Sequence, residues 1–178
     1  MAPTKSELRA EARDRRLGRN GAIPVLELAQ MLRQNFQANT AIGCYLNKPG
    51  EISTALLIST LADLFELYAP AVIGDDLSWR KLTGDFQIGK FGIDEPVSDL
   101  TIPVTELAVV IIPALAVDKA GNRLGFGAGY FDRNLSNTNA LKIVLVYDED
   151  IVPEIPAEIH DVKIDVIATP TQLIKISN

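Results

Sequence analysis

The chain has 178 residues, 47% of them hydrophobic and 22% charged, with a formal net charge of −6. That length and balance fit a single globular α/β-sized domain and exclude a disordered or low-complexity chain. The acidic excess disfavours general nucleic-acid binding, which depends on neutralising phosphates, and no apolar run reaches the ~20 residues of a membrane span.

Thr4 followed by Glu7 reads as a capping box after Pro3 and predicts a helix over residues 4–18. This segment is the basic part of the chain: residues 1–20 hold six lysines and arginines against three acids, the remainder 11 against 20. It lacks the apolar stretch of a secretory signal, and Glu7, Glu11 and Asp14 argue against a transit peptide. Lys5 and Arg9 lie four apart and share one helix face, continued by Arg13 and Arg16, while Arg15 and Arg19 point elsewhere. From spacing alone, a solvated face is the preferred reading over a phosphate-binding one. Pro24 is placed as a first helical residue, followed at helical spacing by Val25, Leu28, Ala29, Leu32 and Phe36. Residues 40–46 read as a strand, 47–50 as a turn, 54–66 as a helix and 67–73 as a strand. Residues 74–105, rich in Asp and Gly, predict short strands and loops. The unbroken apolar run 107–112 predicts a strand buried on both faces of a parallel sheet. A helix is expected to begin near Ala128, with further strands at 141–147 and 163–169 and a short edge strand at 173–176. Strands alternating with helices predict an α/β fold with a mainly parallel central sheet flanked by helices. In such folds ligands bind outside the carboxyl ends of the strands.

The densest motif runs Arg123-Leu124-Gly125-Phe126-Gly127-Ala128-Gly129-Tyr130-Phe131-Asp132-Arg133. Three alternate glycines let backbone N–H groups approach an anion, two arginines flank them, and Asp132 is placed to hold magnesium against a phosphate. As a first-turn carboxylate on a helix surface, Asp132 is expected to contribute little packing. The other reading is a glycine-rich turn with solvated charges. The segment 84–90 has P-loop spacing but places Phe91 where a hydroxyl is needed, and reads as a hairpin-like connection. The Gly125 loop departs from the dinucleotide spacing Gly-x-Gly-x-x-Gly. Glu51, at a strand end before a helix, fits either a ligand acceptor or a helix N-terminal acid. Asp148, Glu149, Asp150, Asp161 and Asp165 make an acid-rich end of the chain, read as solvated loops from which one carboxylate can complete a magnesium site. Cys44 is read as a small core hydrophobe, Trp79 as a packing residue, and the sole histidine, His160, offers no hydrolase triad.

The Pro113-to-Asp118 segment followed by Gly121-Asn122-Arg123-Leu124-Gly125-x-Gly-x-Gly-Tyr130-x-Asp132-Arg133 resembles the signature of the 5-formyltetrahydrofolate cyclo-ligases, also called methenyltetrahydrofolate synthetases. Lys5-x-x-x-Arg9, the Pro-Gly-Glu-x-x-Thr element at 49–54, the Gly-Ile-x-Glu-Pro element at 92–96, and Asp161 with Asp165 extend the resemblance over essentially the whole chain, in order. The resemblance implies one cyclo-ligase-like domain over residues 1–178, of the NagB/RpiA/CoA-transferase-like type. It implies ATP- and magnesium-dependent conversion of 5-formyltetrahydrofolate to 5,10-methenyltetrahydrofolate by a cytoplasmic enzyme, expected as a monomer. Lys5, Arg9 and the loop Arg123, Leu124, Gly125, Phe126, Gly127, Ala128, Gly129, Tyr130 and Phe131 would hold ATP. Leu46, Glu51, Phe126, Gly127, Ala128, Gly129 and Tyr130 would line the folate pocket. Asp132 and Asp161 would bind magnesium, and Arg123, Tyr130 and Asp132 would act in catalysis. Many members carry a basic residue in the glycine loop, where Phe126 and Ala128 supply none, and a Tyr where Phe131 stands. A non-catalytic relative, or a sugar-phosphate isomerase with Glu51 as base, are the alternatives.

Overall fold

Alternation along one strand organises the molecule. Val109 and Ile111 face one hydrophobic cluster and Val110 and Ile112 the other, all but fully buried, so this strand is the centre of a sheet covered on both faces. The computed structural model describes residues 3–16, 19 and 25–177. In chain order the elements are α1 (Lys5–Arg16), α2 (Val25–Asn35), β1 (Ala41–Cys44), α3 (Ala55–Leu61), β2 (Glu66–Ile73) and β3 (Asp76–Lys81). There follow β4 (Phe86–Ile88), β5 (Asp94–Pro96), β6 (Thr101–Ile102), β7 (Val109–Pro113), β8 (Ala116–Val117) and β9 (Arg123–Leu124). The chain closes with α4 (Tyr130–Leu135), β10 (Leu141–Leu145), β11 (Val166–Ala168) and β12 (Leu173–Lys175).

The main sheet has eight strands in the order β12-β11-β10-β7-β1-β2-β3-β6. The five inner strands from β11 to β2 are parallel, and β12, β3 and β6 extend the sheet antiparallel at its two edges. The expected α/β class and mainly parallel sheet are therefore present. On one face α2 and α3 bury Leu28, Leu32, Leu57 and Leu61 against Ile42, Ile111, Ile143 and Leu145. On the other, Trp79, Leu135 of α4 and Ile164 cover Val110, Ile112 and Val144. A third cluster joins Leu8 and Ala12 of α1 to Leu115, Ala116 and Leu124 of the β8–β9 hairpin.

Thr4 and Glu7 form the capping box: Thr4 N–H donates to Glu7 Oε2 at 2.8 Å and Glu7 N–H to Thr4 Oγ1 at 3.3 Å. Gly18 and Pro24, on which the expected end of the first helix and start of the second fall, lie outside the described residues. The helix expected over 54–66 stops at Leu61, and Glu66 instead opens β2 opposite Ala41. The apolar spacing runs on past the helix because Phe65, after the turn, fills the same core as Leu57 and Leu61. The helix expected near Ala128 begins at Tyr130, with Gly129 at its N-cap. The segment 84–90 enters a hairpin, β4 pairing antiparallel with β5 and Gly89 N–H donating to Ile93 O at 2.8 Å.

Trp79 on β3 lies across β1, which is possible because Gly43 has no side chain. A Cβ on Gly43 would stand 2.7 Å from the indole and 2.9 Å from Leu107. Backbone of a paired central strand cannot retreat, so Gly43→Ala is expected to destabilise by roughly 1–3 kcal/mol, the usual range for overpacking. Chemical denaturation followed by the fluorescence of Trp79, the single tryptophan, checks this; unchanged stability would mean the indole moves aside freely.

Candidate active site

β8 and β9 form a short hairpin that follows β7 and delivers the chain to the glycine loop. Its turn is built by Asp118, whose carboxylate accepts from the N–H groups of Ala120 and Asn122 and from Ile155 N–H. Arg123 leaves the hairpin almost fully buried, its side chain 3% exposed. One Nη donates to Pro113 O at 3.1 Å, and the other donates to both oxygens of Asp132, each at 2.9 Å. The loop between Arg123 and Asp132 is therefore closed at its base by a largely buried ion pair, one Nη shared between the two carboxylate oxygens. Gly127 and Gly129 take φ values of +110° and +69°, a region side chains with Cβ rarely adopt. No N–H of residues 126–129 donates to another described residue. Gly127 and Ala128 are exposed at the edge of a cleft of 1440 Å³.

The basic face of α1 borders this loop. Arg9 Nε donates to Gly125 O at 3.0 Å, and Arg13 donates to Phe126 O at 3.3 Å. Lys5 Nζ lies 2.6 Å from Asp161 Oδ2 and 3.2 Å from Glu158 Oε1. Burial alone would raise the Asp161 carboxyl, but the Lys5 ammonium and the Glu158 N–H outweigh it and hold it below the usual range. The basic face is thus not a solvated one. Arg15 and Arg19, expected to point away from the face of Lys5 and Arg9, both turn toward Asp150, at 3.5 and 3.7 Å. Arg16 reaches the same carboxylate at 3.4 Å and also donates to the Ala114 carbonyl. Asp150 is fully buried, not a solvated loop acid. It sits in a turn after β10, so it ties the C-terminal end of α1 to the sheet.

Opposite the loop, β1 ends in Tyr45, Leu46 and the 47–51 turn. Glu51 accepts from Lys48 N–H at 2.9 Å. Burial pushes its carboxyl up, against the pull of the Lys48 N–H and ammonium. Thr54 Oγ1 donates to Tyr45 O at 2.9 Å, fixing the start of α3. Cys44 is 1% exposed, and burial raises its thiol to about 12, an inert core group. Trp79 packs as expected, and its Nε1 also donates to Asn134 Oδ1 at 2.8 Å.

Lys5, Arg9, Leu46, Glu51, Arg123, residues 125–131, Asp132 and Asp161 all line this one cleft. Leu124 does not; its side chain is fully buried against α1. Asp132 is not a free surface carboxylate, since Arg123 takes both of its oxygens. The sequence gives no role to Lys48, whose ammonium lies 3.3 Å from the centre of the Phe126 ring, and Lys90, the last residue of the rejected P-loop-spaced segment, donates to Tyr130 Oη at 3.1 Å. Only position after a strand end pointed toward Lys48. Asp132 and Asp161 are oxygen donors of the class a divalent cation takes, with Arg123 on both oxygens of the first and Lys5 on one oxygen of the second. Val162 N–H lies 3.4 Å from Asp132 Oδ1, so the two carboxylates flank the same backbone, and Asp161 Oδ1 has no hydrogen-bond partner among the described residues. Glu158, His160 and Asp161 also converge, with the Lys5 ammonium against both carboxylates.

Residues 4–170 match the model of the 5-formyltetrahydrofolate cyclo-ligase family. A 5-formyltetrahydrofolate cyclo-ligase of Mycolicibacterium smegmatis is 37% identical over 136 residues, covering 70% of this chain and 69% of the relative. One from Haemophilus influenzae is 33% identical over 132 residues, covering 68% and 71%. The solved structure of the Aquifex aeolicus 5,10-methenyltetrahydrofolate synthetase superposes with a TM-score of 0.82 at 26% identity, covering 98% of this chain and 93% of that one. A glycine loop based on a buried arginine, a basic helix against it and a carboxylate at the facing strand end therefore stand in a sequence and a fold of one lineage, and the chain belongs to the 5-formyltetrahydrofolate cyclo-ligase family.

Proposed function

We propose that this protein closes the ring of 5-formyltetrahydrofolate to 5,10-methenyltetrahydrofolate at the expense of ATP, which becomes ADP and phosphate. The observation that carries the reading is the convergence of α1, the glycine loop and the end of β1 on one cleft, in a chain matching the cyclo-ligase family over residues 4–170. The reaction needs two adjoining subsites, one for a polyanion and one for a flat ring rich in N–H groups. In the first step the formyl oxygen attacks the γ-phosphorus, and the bond to the bridging oxygen breaks with its electron pair on ADP. The N10 lone pair then attacks the formyl carbon, N10 loses its proton, and the carbon–oxygen bond breaks with its pair on phosphate. Such chemistry asks for position and charge neutralisation and uses no nucleophilic side chain.

In this reading Lys5, Arg9 and the N–H groups of residues 125–131 hold the nucleotide phosphates. Arg123, oriented by Asp132, neutralises charge beside them, and Tyr130 Oη is a hydrogen-bonding group at the junction. Leu46 and Glu51 receive the folate ring, with residues 126–130 as the shared wall. Asp132 and Asp161 are the carboxylates that would hold magnesium, which when bound supplies charge neutralisation on the phosphate oxygens. The reading also takes residues 1–178 as one domain acting as a cytoplasmic monomer. Among the described residues no helix is long and apolar enough to cross a membrane.

The decisive assay mixes protein, 5-formyltetrahydrofolate and Mg-ATP and follows methenyltetrahydrofolate absorbance. Product formed at the same rate without ATP, or none with it, sinks the proposal. Asp132→Ala is expected to abolish turnover and to destabilise by about 3–5 kcal/mol, because it strands a buried guanidinium. Asp132→Asn keeps an acceptor and should unfold at a higher temperature than the Ala variant, while both lose Mg-dependent nucleotide binding. Wild-type nucleotide binding by the Asn variant would remove the metal role.

The α1 face separates by calorimetry. Lys5→Gln/Arg9→Gln should weaken ATP binding tenfold or more, since each charge-assisted hydrogen bond is worth roughly 1.5–3 kcal/mol. Arg15→Gln/Arg19→Gln should instead lower the melting temperature, through Asp150, and leave ATP affinity alone. Equal affinities in the two double variants would contradict the assignment of Lys5 and Arg9.

A further inference from the structure

Seven lysines and arginines line the cleft. Six already donate to oxygen acceptors of the protein: Lys5 to Asp161, Arg9 to Gly125 O, Arg123 to Asp132, and the others likewise to carboxylate or carbonyl oxygens. Lys48 is the exception, since its ammonium makes no hydrogen bond or ion pair among the described residues. It is half-buried, seated 3.3 Å from the centre of the Phe126 ring. An aromatic face steadies a cation but offers it no acceptor. Burial pushes the Lys48 ammonium down from its ordinary value; Glu51 opposes this, and Arg13 and Arg16, facing it from α1, add to it. A desolvated cation beside two guanidinium groups and without an acceptor is unfavourable until an anion arrives.

The place of that ammonium identifies the anion. Lys48 is three residues from Glu51 and locked to it through its own N–H, so it belongs to the wall that receives the folate ring. Its head group rests on Phe126, between two glycines of the loop that receives phosphates. The loop itself, residues 124–132, carries no basic side chain. The point where both walls meet is where a phosphoryl group passes from the nucleotide to the formyl oxygen. We propose that Lys48 is a catalytic residue of the ring closure, its ammonium contacting the oxygens of the phosphoryl group in transit. As the bond to ADP breaks and the bond to the formyl oxygen forms, Lys48 neutralises oxygen charge and exchanges no proton.

This role rests on the cyclo-ligase reading, and the test separates the two. Lys48→Met keeps an unbranched stem over Phe126 and removes the charge; Lys48→Arg restores a charge with different reach. Both are compared with wild type in steady-state kinetics with 5-formyltetrahydrofolate and Mg-ATP, alongside melting temperatures. Lys48→Met is expected to lower kcat about a hundredfold, the scale of one lost transition-state donor, with each KM changed less than about threefold and the melting temperature unmoved. Lys48→Arg should recover part of the rate. Unchanged kcat in Lys48→Met overturns the role, as does a rise confined to the folate KM, which would assign the ammonium to the substrate's carboxylates. A lowered rate accompanied by an equal loss of thermal stability in both variants also overturns it. A wild-type protein that forms no methenyl product overturns the cyclo-ligase reading, and the Lys48 role with it.

Discussion

The site depends on one side chain. Arg123, buried to 3% exposure, bonds Pro113 O at the end of β7 and both carboxylate oxygens of Asp132 on the first turn of α4. It thereby ties the central strand of the sheet, the β8–β9 hairpin and α4 together at one point. A charged pair at this depth is no great source of net stability, since desolvation of the two ions offsets much of their attraction. What it does supply is geometry. With both ends of the loop anchored, Gly127 and Gly129 are held in left-handed backbone at the edge of the cleft, and the N–H groups of residues 126–129 donate to no described residue. Donors left free on a backbone fixed at both ends need little reorganisation to meet an anion.

The first helix is built around the same requirement. Its Leu8 and Ala12 pack on the hairpin through a small apolar cluster, a modest area for holding twelve residues that carry eight charges of one sign or the other in quick succession. The buried Asp150 carboxylate supplies the second anchor by gathering Arg15, Arg16 and Arg19 at the far end. This arrangement divides the basic segment by function. The C-terminal arginines are turned inward to fix the helix, and Lys5 and Arg9 remain at the cleft, each already aligned by a protein acceptor.

What was legible in the sequence was local. Thr4 and Glu7 are three residues apart, the 109–113 strand declares itself by an unbroken apolar run, and the glycine loop with its flanking arginines occupies consecutive positions. The general plan of a parallel sheet with ligands at its carboxyl edge followed from these. What was hidden involved partners far apart in sequence. Nothing near residue 150 tells that Asp150 faces Arg15 and Arg16 of the first helix and Arg19 beyond it; in an acidic run it looks like a solvated loop. Gly43 and Trp79 meet across two strand spacings, so the reason for a glycine in a central strand is invisible until the sheet is assembled. Lys48 and Phe126 are the same case within the site. The overextended helix at residues 54–66 has a different origin: Phe65 serves the same core from a turn, so hydrophobic periodicity outlives the helix that produced it.

The electrostatic layout follows from these long-range pairings. The chain is acidic outside its first twenty residues, yet on the proposed reading its cleft receives a polyanion. A bare positive funnel would bind phosphates anywhere along it. Here most of the cations are instead pinned by carboxylates or carbonyls, which lowers the general attraction and leaves specific directions open: the Nη groups of Arg9, the loop N–H groups, and the ammonium on Phe126. In the proposed reading, neutralising most of the cations also lets a second, largely uncharged ring occupy the other half of the same cleft against Leu46 and Glu51 without crossing a strongly polarised wall. Under the same proposal, the charge left uncompensated lies where the two substrates must touch, and binding energy is directed to the geometry of transfer rather than to retention of either substrate alone.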